Sequence, residues 1–278
     1  EMTFKTIMVH AEDSGPGRSL LEEATAFARA NGAHLVALVC GIEPPAPYVG
    51  ISPGPIDGYI ADLERARTDT RAEVKRIDAF LTRLGGAFEV RGATVQSGLA
   101  GAEFTRHARY ADLAIFPQSN TSGTLHRLLD TTLLESGKPV LVLPEGAHLK
   151  TIGRRVAIAW DAGAEAARAV HYALPLMVGA EDVRVVMVDP HTGLSYHGEE
   201  PGADLGTMLA RHGLPVSVDA LPDEDQRFAT IFLRHANDMD ADLLVAGAYG
   251  HWRMAQVILG GATRDLMRDA KRPLLMAH

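Results

Sequence analysis

Cysteine is almost absent: Cys40 is the one cysteine in 278 residues. An intrachain disulfide is therefore excluded, as is a structural zinc site built on paired thiolates, and this usage accords with a reducing compartment. Positive charge is not in excess either. Lys and Arg number 27 against 35 Asp and Glu, a formal charge of -8 spread along the chain, which argues against nucleic acid or an anionic membrane as partner. No apolar run approaches the ~20 residues that span a bilayer, and residues 1–8 lack the basic start and apolar block of a secretory signal. The expectation is a cytoplasmic protein. Catalytic signatures are equally scarce. There is no G-x-x-x-x-G-K-[ST] phosphate loop and no H-E-x-x-H, so the lysine and magnesium-binding hydroxyl of an efficient ATPase and the ligands of a zinc hydrolase are missing. No catalytic residue and no metal site is expected.

What is present is ordinary globular composition, 46% hydrophobic and 22% charged, with length enough for two domains. The chain also repeats itself. Thr6 to Ala11, a helical pattern over Leu20 to Ala30 and the apolar run Leu35 to Cys40 open the first half; Val156 to Trp160, Ala164 to Leu176 and Val183 to Val188 open the second. Continuous Val, Ile, Leu and Ala runs separated by amphipathic helices imply parallel strands covered on both faces. Middle elements fall near 58–84, 88–95 and 102–108, and again near 203–212, 215–220 and 227–237. Ala111-Asp112-Leu113-Ala114-Ile115 parallels Ala241-Asp242-Leu243-Leu244-Val245, and Lys138 to Leu143 parallels Arg272 to Ala277. Each half thus reads β-α-β-α-β-α-β-α-β, two α/β doubly wound five-stranded domains at 1–147 and 152–278. Loops rich in Pro and Gly, Glu43 to Asp57 and Pro190 to Gly202, follow the second strand of each half.

Residues 247–263 read GAYGHWRMAQVILGGAT and follow the apolar run Leu243 to Ala246. Ligands of doubly wound sheets sit beyond the carboxyl ends of the strands, where Gly247 and Gly250 are placed. Glycine leaves its N–H uncovered and tolerates positive φ, so such a turn can cradle phosphate oxygens at a helix N-terminus. The same glycines equally serve a tight turn in close contact with a helix, and spacing leaves both uses open.

Two glycines separated by two residues, then nine residues, then a further glycine, between the fourth strand and last helix of such a domain, resemble the nucleotide-binding signature of the universal stress protein family. Gly247, Gly250 and Gly260 match it in register. The resemblance covers the whole chain as a tandem pair and implies the family's adenine nucleotide alpha hydrolase-like fold in each half. It implies a site in the second half for ATP, or for ADP or AMP, with Mg as a companion ion. Asp161 would contact adenine and Ala159 and Met187 would flank it. Ala246, Gly247, Gly250, Gly260, Gly261, Ala262 and Thr263 would line ribose and phosphates, with His251 and Arg253 supplying positive charge toward a triphosphate. The family's habit of dimerising through its last strand implies that Val140 to Leu143 and Leu274 to Ala277 pair within the chain; a homodimer of such chains is a further expectation.

The chain departs from the family pattern in two places. Gly261 stands where nucleotide-binding members carry Ser or Thr after the third glycine, and Thr263 is the candidate replacement. In the first half Glu12 occupies the position of Asp161, and Pro117-Gln118-Ser119-Asn120 replaces Gly247-Ala248-Tyr249-Gly250. Proline lacks the N–H that a phosphate needs, so the first half is expected not to bind nucleotide in the family's manner.

Other signals read as ordinary structure. Gly50-Ile51-Ser52-Pro53-Gly54 spells G-x-S-x-G, but prolines stand on either side where a nucleophile elbow needs a strand and a helix. His191, His197 and His251 lack metal-ligand spacing, Asp189 reads as a turn residue, and Trp160 and Trp252 read as packing aromatics. Two function classes stand: a stress-response regulatory module that binds an adenine nucleotide, or a scaffold of the same fold that binds none. A weak adenine nucleotide hydrolase is a third, for which no nucleophile or acid–base pair is evident.

Overall fold

The computed structural model describes residues 3–46, 56–118, 123–190, 200–249 and 261–278. Among them one order of elements occurs twice. The first half contains β1 (Thr6–His10), α1 (Gly15–Ala30), β2 (His34–Ile42), α2 (Ile56–Leu84), β3 (Phe88–Val95), α3 (Ala100–Ala108), β4 (Leu113–Pro117), α4 (Gly123–Glu135) and β5 (Val140–Leu143). The second contains β6 (Arg155–Ala159), α5 (Ala164–Ala173), β7 (Asp182–Val188), α6 (Ala203–Arg211), β8 (Val216–Leu221), α7 (Phe228–Asp238), β9 (Leu243–Gly247), α8 (Gly261–Asp269) and β10 (Leu274–Ala277). No described helix is long and apolar enough to cross a membrane.

Local chemistry sets the boundaries. The helix expected from Leu20 already starts at Gly15, because Ser14 Oγ accepts the Gly17 N–H at 3.1 Å and Pro16 sits in the first turn, where its missing N–H costs nothing. The helix expected to reach Leu176 ends at Ala173 and continues as a 3-10 turn over Leu174–Leu176, since Pro175 cannot continue the α-helical hydrogen bonds. Ile7, Met8 and Val9 of β1 and Leu113 to Phe116 of β4 are fully buried, as strands covered on both faces must be. Positions of β3 and β8 are mostly half-exposed or exposed.

Contacts divide the chain into two compact units. One is Phe4–Phe116 with Ser122–Ser136; the other is Gly137–His278 with Pro117–Thr121 and Glu1–Thr3. In the first the strand order is β3-β2-β1-β4, all parallel. In the second it is β5-β10-β9-β6-β7-β8, parallel except where β10 meets β5 antiparallel, Leu275 opposite Leu141. The expected pairing of Val140 to Leu143 with Leu274 to Ala277 is therefore present. Its hydrogen bonds explain why β5, first-half by sequence, is compact with the second half: the repeat boundary follows the chain, and the compact unit follows strand pairing.

The repeated Ala-Asp-Leu has a structural use in both halves. Asp112 accepts the N–H groups of Lys5 (2.7 Å) and Thr6 (2.9 Å). Asp242 accepts those of Gly153 (2.6 Å), Arg154 and Arg155. Each carboxylate ties the start of one strand to its neighbour. Burial nonetheless holds the Asp242 carboxyl above its ordinary pKa, against those N–H donors.

Candidate functional site

The carboxyl ends of β6, β7 and β9 lie side by side in the second half. Ala159 is in register with Val186 on one side and Ala246 on the other, and Trp160 N–H donates to Val186 O at 3.0 Å. Ala159, Ala246 and Met187 are all buried. Two of the three are methyl side chains, so little side-chain volume stands at this stretch of the strand ends.

Asp161 follows immediately. Its Oδ1 accepts the Gly163 N–H at 2.8 Å, and Gly163 is the N-cap of α5 with no side-chain cap of its own. The carboxylate thus stands at the positive end of a helix. Ala162, between them, has φ 58°.

That strained residue has company. Asp189, directly after β7, has φ 45°, and Tyr249, two residues after β9, has φ 55°. Three neighbouring strands therefore leave the sheet through left-handed non-glycine residues. A non-glycine side chain pays of order 1 kcal/mol or more in this region, and such strain concentrates at ligand sites. Among the described residues of the first half no non-glycine residue has positive φ.

Gly247 has a use that requires no ligand. A Cβ there would lie 2.5 Å from Ala166 N and 2.8 Å from Glu165 C, so the end of β9 touches the backbone of the first turn of α5. Of the two uses open from spacing, the close helix contact is the one present at Gly247. Gly261 is the first described residue of α8, and Ala262 and Thr263 follow it in the helix. Thr263 is buried, and its Oγ1 accepts the Tyr249 N–H at 3.0 Å. That bond fixes the start of α8 against the segment leaving β9. Gly250, His251, Arg253 and Gly260 lie outside the described residues, as do Ser52, His191, His197 and Trp252.

One neighbour of the site was not evident in the sequence. At Gly202 (φ 80°), the N-cap of α6, a Cβ would come within 2.9 Å of Met187 Cε and 2.8 Å of Val218 Cγ1. Gly202 thus lies directly against Met187. The Pro201-Gly202 pair signals a turn, but not which side chain the turn meets.

The corresponding edge of the first half is filled. β4 and β9 align through their Ala-Asp-Leu starts, and the pairings of Val9 with Ile115 and of Ile158 with Val245 carry the alignment to the neighbouring strands. His10 then matches Ala159, and Phe116 matches Ala246. The His10 and Phe116 rings stack at 6.1 Å and 16°, and Phe104 packs against Phe116 at 4.6 Å. Burial pushes the His10 pKa down to about 4, so the ring is neutral at pH 7. Cys40 is no nucleophile: burial foremost, and then the Glu103 carboxylate, push its thiol up to about 12. Among the described residues no group of three His, Cys, Asp or Glu is placed to hold a metal ion.

No protein-family model matches the chain. Over 168 residues it is 25% identical to the universal stress protein Slr1230 of Synechocystis, a match covering 59% of this chain and 54% of that protein. The chain thus aligns with only about half of that relative's length. In fold it is similar to a universal stress protein of Archaeoglobus fulgidus, with a TM-score of 0.70 and 16% identity over 98% of this chain and 95% of that one. It is also similar to a functionally unknown protein of Pseudomonas aeruginosa, with a TM-score of 0.56 and 15% identity over 99% and 92%. The chain carries the universal stress protein fold in tandem, and its resemblance to that family holds in sequence over 59% of its length and in fold over 98%.

Proposed function

We propose that the second half binds an adenine nucleotide, ATP or its ADP or AMP relatives, at the carboxyl ends of β6, β7 and β9, and that the protein acts as a stress-response regulator through that site. The observation that carries this reading is the cluster of left-handed residues Ala162, Asp189 and Tyr249 around the small side chains of Ala159 and Ala246. Left-handed non-glycine residues gather at ligand sites, and these three are half of those described in the second half, the others being Glu224, Asp225 and Asp240. A purine against the alanines would find the Asp161 carboxylate two residues beyond β6, able to accept from an exocyclic amine. Phosphates would point toward Gly261 to Thr263 at the N-terminal side of α8, the end of a helix whose dipole favours an anion. Magnesium would enter with the triphosphate rather than through a protein metal site. Calorimetry of nucleotide-stripped protein with ATP, ADP and AMP tests the reading. One site of micromolar strength supports it, and no heat up to millimolar nucleotide overturns it.

A scaffold role is favoured instead by Gly247 and Thr263. The first is explained by its contact with α5, the second by its bond to Tyr249, so neither needs a phosphate. Absence of nucleotide binding would leave this reading standing.

A further inference from the structure

The loop after β4 holds, in the first half, the place of the glycine loop after β9. Its backbone has kept the shared role: Gln118 N–H donates to Leu143 O at 2.8 Å, just as Ala248 N–H donates to Ala277 O at 2.8 Å. The side chains differ. Ala248 is a buried methyl, whereas Gln118 extends an amide whose Nε2 lies 2.9 Å from Met267 O, 3.0 Å from Arg268 O and 2.8 Å from Ala270 O. All of these residues belong to the same compact unit.

Met267 and Arg268 are in the last turn of α8, and their carbonyls are among those that a helix end leaves without an intrahelical partner. Leu266 O is already taken by the Ala270 N–H at 3.0 Å. Gln118 supplies what is missing next: two N–H groups directed at three carbonyls on the negative end of the helix. A helix end keeps its order only where contacts replace the missing intrahelical bonds, so what meets the carbonyls at the end of α8 decides the order of its last turn. Thr263 Oγ1 anchors the N-terminal end to Tyr249, and Gln118 anchors the C-terminal end.

We infer that Gln118 is the C-terminal cap of α8 and, through that helix, a positioning residue for the phosphate edge at Gly261 to Thr263. The loop that in the first half replaces a phosphate loop has thereby become a support for the one in the second half. This inference rests on the nucleotide reading above for its second clause only.

Gln118→Glu tests it with an isosteric side chain that offers no N–H at pH 7 and sets a carboxylate against three carbonyls. Gln118→Lys restores N–H donors and adds a charge that suits a helix C-terminus. Hydrogen exchange over Leu266 to Ala270 reads the cap without any ligand. The Glu variant should exchange roughly five- to tenfold faster than the wild type, the scale of one lost hydrogen bond, and the Lys variant close to the wild type. ATP affinity should follow the same order, weakened roughly three- to tenfold in the Glu variant and recovered in the Lys variant. Unchanged exchange in Gln118→Glu overturns the cap. Faster exchange with unchanged affinity overturns the positioning role. A wild type that binds no nucleotide removes the parent reading and the positioning role together, while the exchange measurement still decides the cap.

Discussion

The two halves share an element order yet end their central strands differently. At matching positions the first half places His10 and Phe116, stacked rings supported by Phe104, and the second places Ala159 and Ala246. Rings at a strand end bury apolar area; methyl groups at the same positions occupy far less volume. The backbone differs in the same sense. Strands β6 and β7 and the segment after β9 pass through strained left-handed residues, and the described first half contains none outside glycine. The first half thus fills its strand ends with stacked rings, while the second carries small side chains there and left-handed residues just beyond.

The first way to break this comparison is to empty the packed edge. Phe116→Ala removes a fully buried ring and should lower unfolding free energy by about 3–5 kcal/mol in denaturant titration. A loss below about 1 kcal/mol would mean that the rings do not hold the first half together.

A second approach is through pH. Burial holds His10 at about 4, against 6.5 for an ordinary imidazole. The folded state therefore binds this proton less readily than the unfolded chain. Its contribution is complete above pH 6.5 and is lost as pH falls toward 4, by about 3 kcal/mol in full. His10→Phe keeps a ring and removes the titration, so stability measured from pH 7 to 4 should fall less steeply than in the wild type. Parallel slopes would remove His10 as the source.

Third, Gly247→Ala forces a Cβ into the backbone of α5. Destabilisation of about 1–3 kcal/mol is expected from such overpacking, read by thermal unfolding without nucleotide. An unaltered melting curve would return Gly247 to the phosphate role. The smallest effect sharpens the ligand reading: Asp161→Ala should weaken adenine nucleotide binding about tenfold, the scale of one hydrogen bond to a charged group. Because Asp161 also accepts the Gly163 N–H, calorimetry should be accompanied by a melting curve, and equal affinity in a folded variant would exclude contact with the base.

Much of this was legible in the sequence because it is local or periodic. The apolar runs at Leu113 to Phe116 and Leu243 to Ala246 announce buried parallel strands. The repeated Ala-Asp-Leu and Pro-Val-Leu-Val type segments give the halves their common register, and Phe88 to Val95 is a strand with the expected ends. Most other ends moved by one or two residues, as β2 did to His34–Ile42, and the larger shifts came where capping chemistry intervened, at Ser14 and Pro175. The site was legible as a list of positions but not as a set of uses. Gly247 and Thr263 look alike in a glycine-rich string whether they meet phosphate or protein. Only the 2.5 Å approach to Ala166 and the bond to Tyr249 assign them partners.

By itself, then, the sequence determined the twofold α/β order, the parallel strands and the placing of the glycine loop at a carboxyl edge, because hydrophobic periodicity and turn chemistry act between near neighbours in the chain. Tertiary structure alone decided that β5 is compact with the second half, that His10 meets Phe116, that Gly202 lies against Met187 and that Gln118 caps a helix about 150 residues away. Those contacts join residues distant in sequence, and their energies depend on distances that no local pattern encodes.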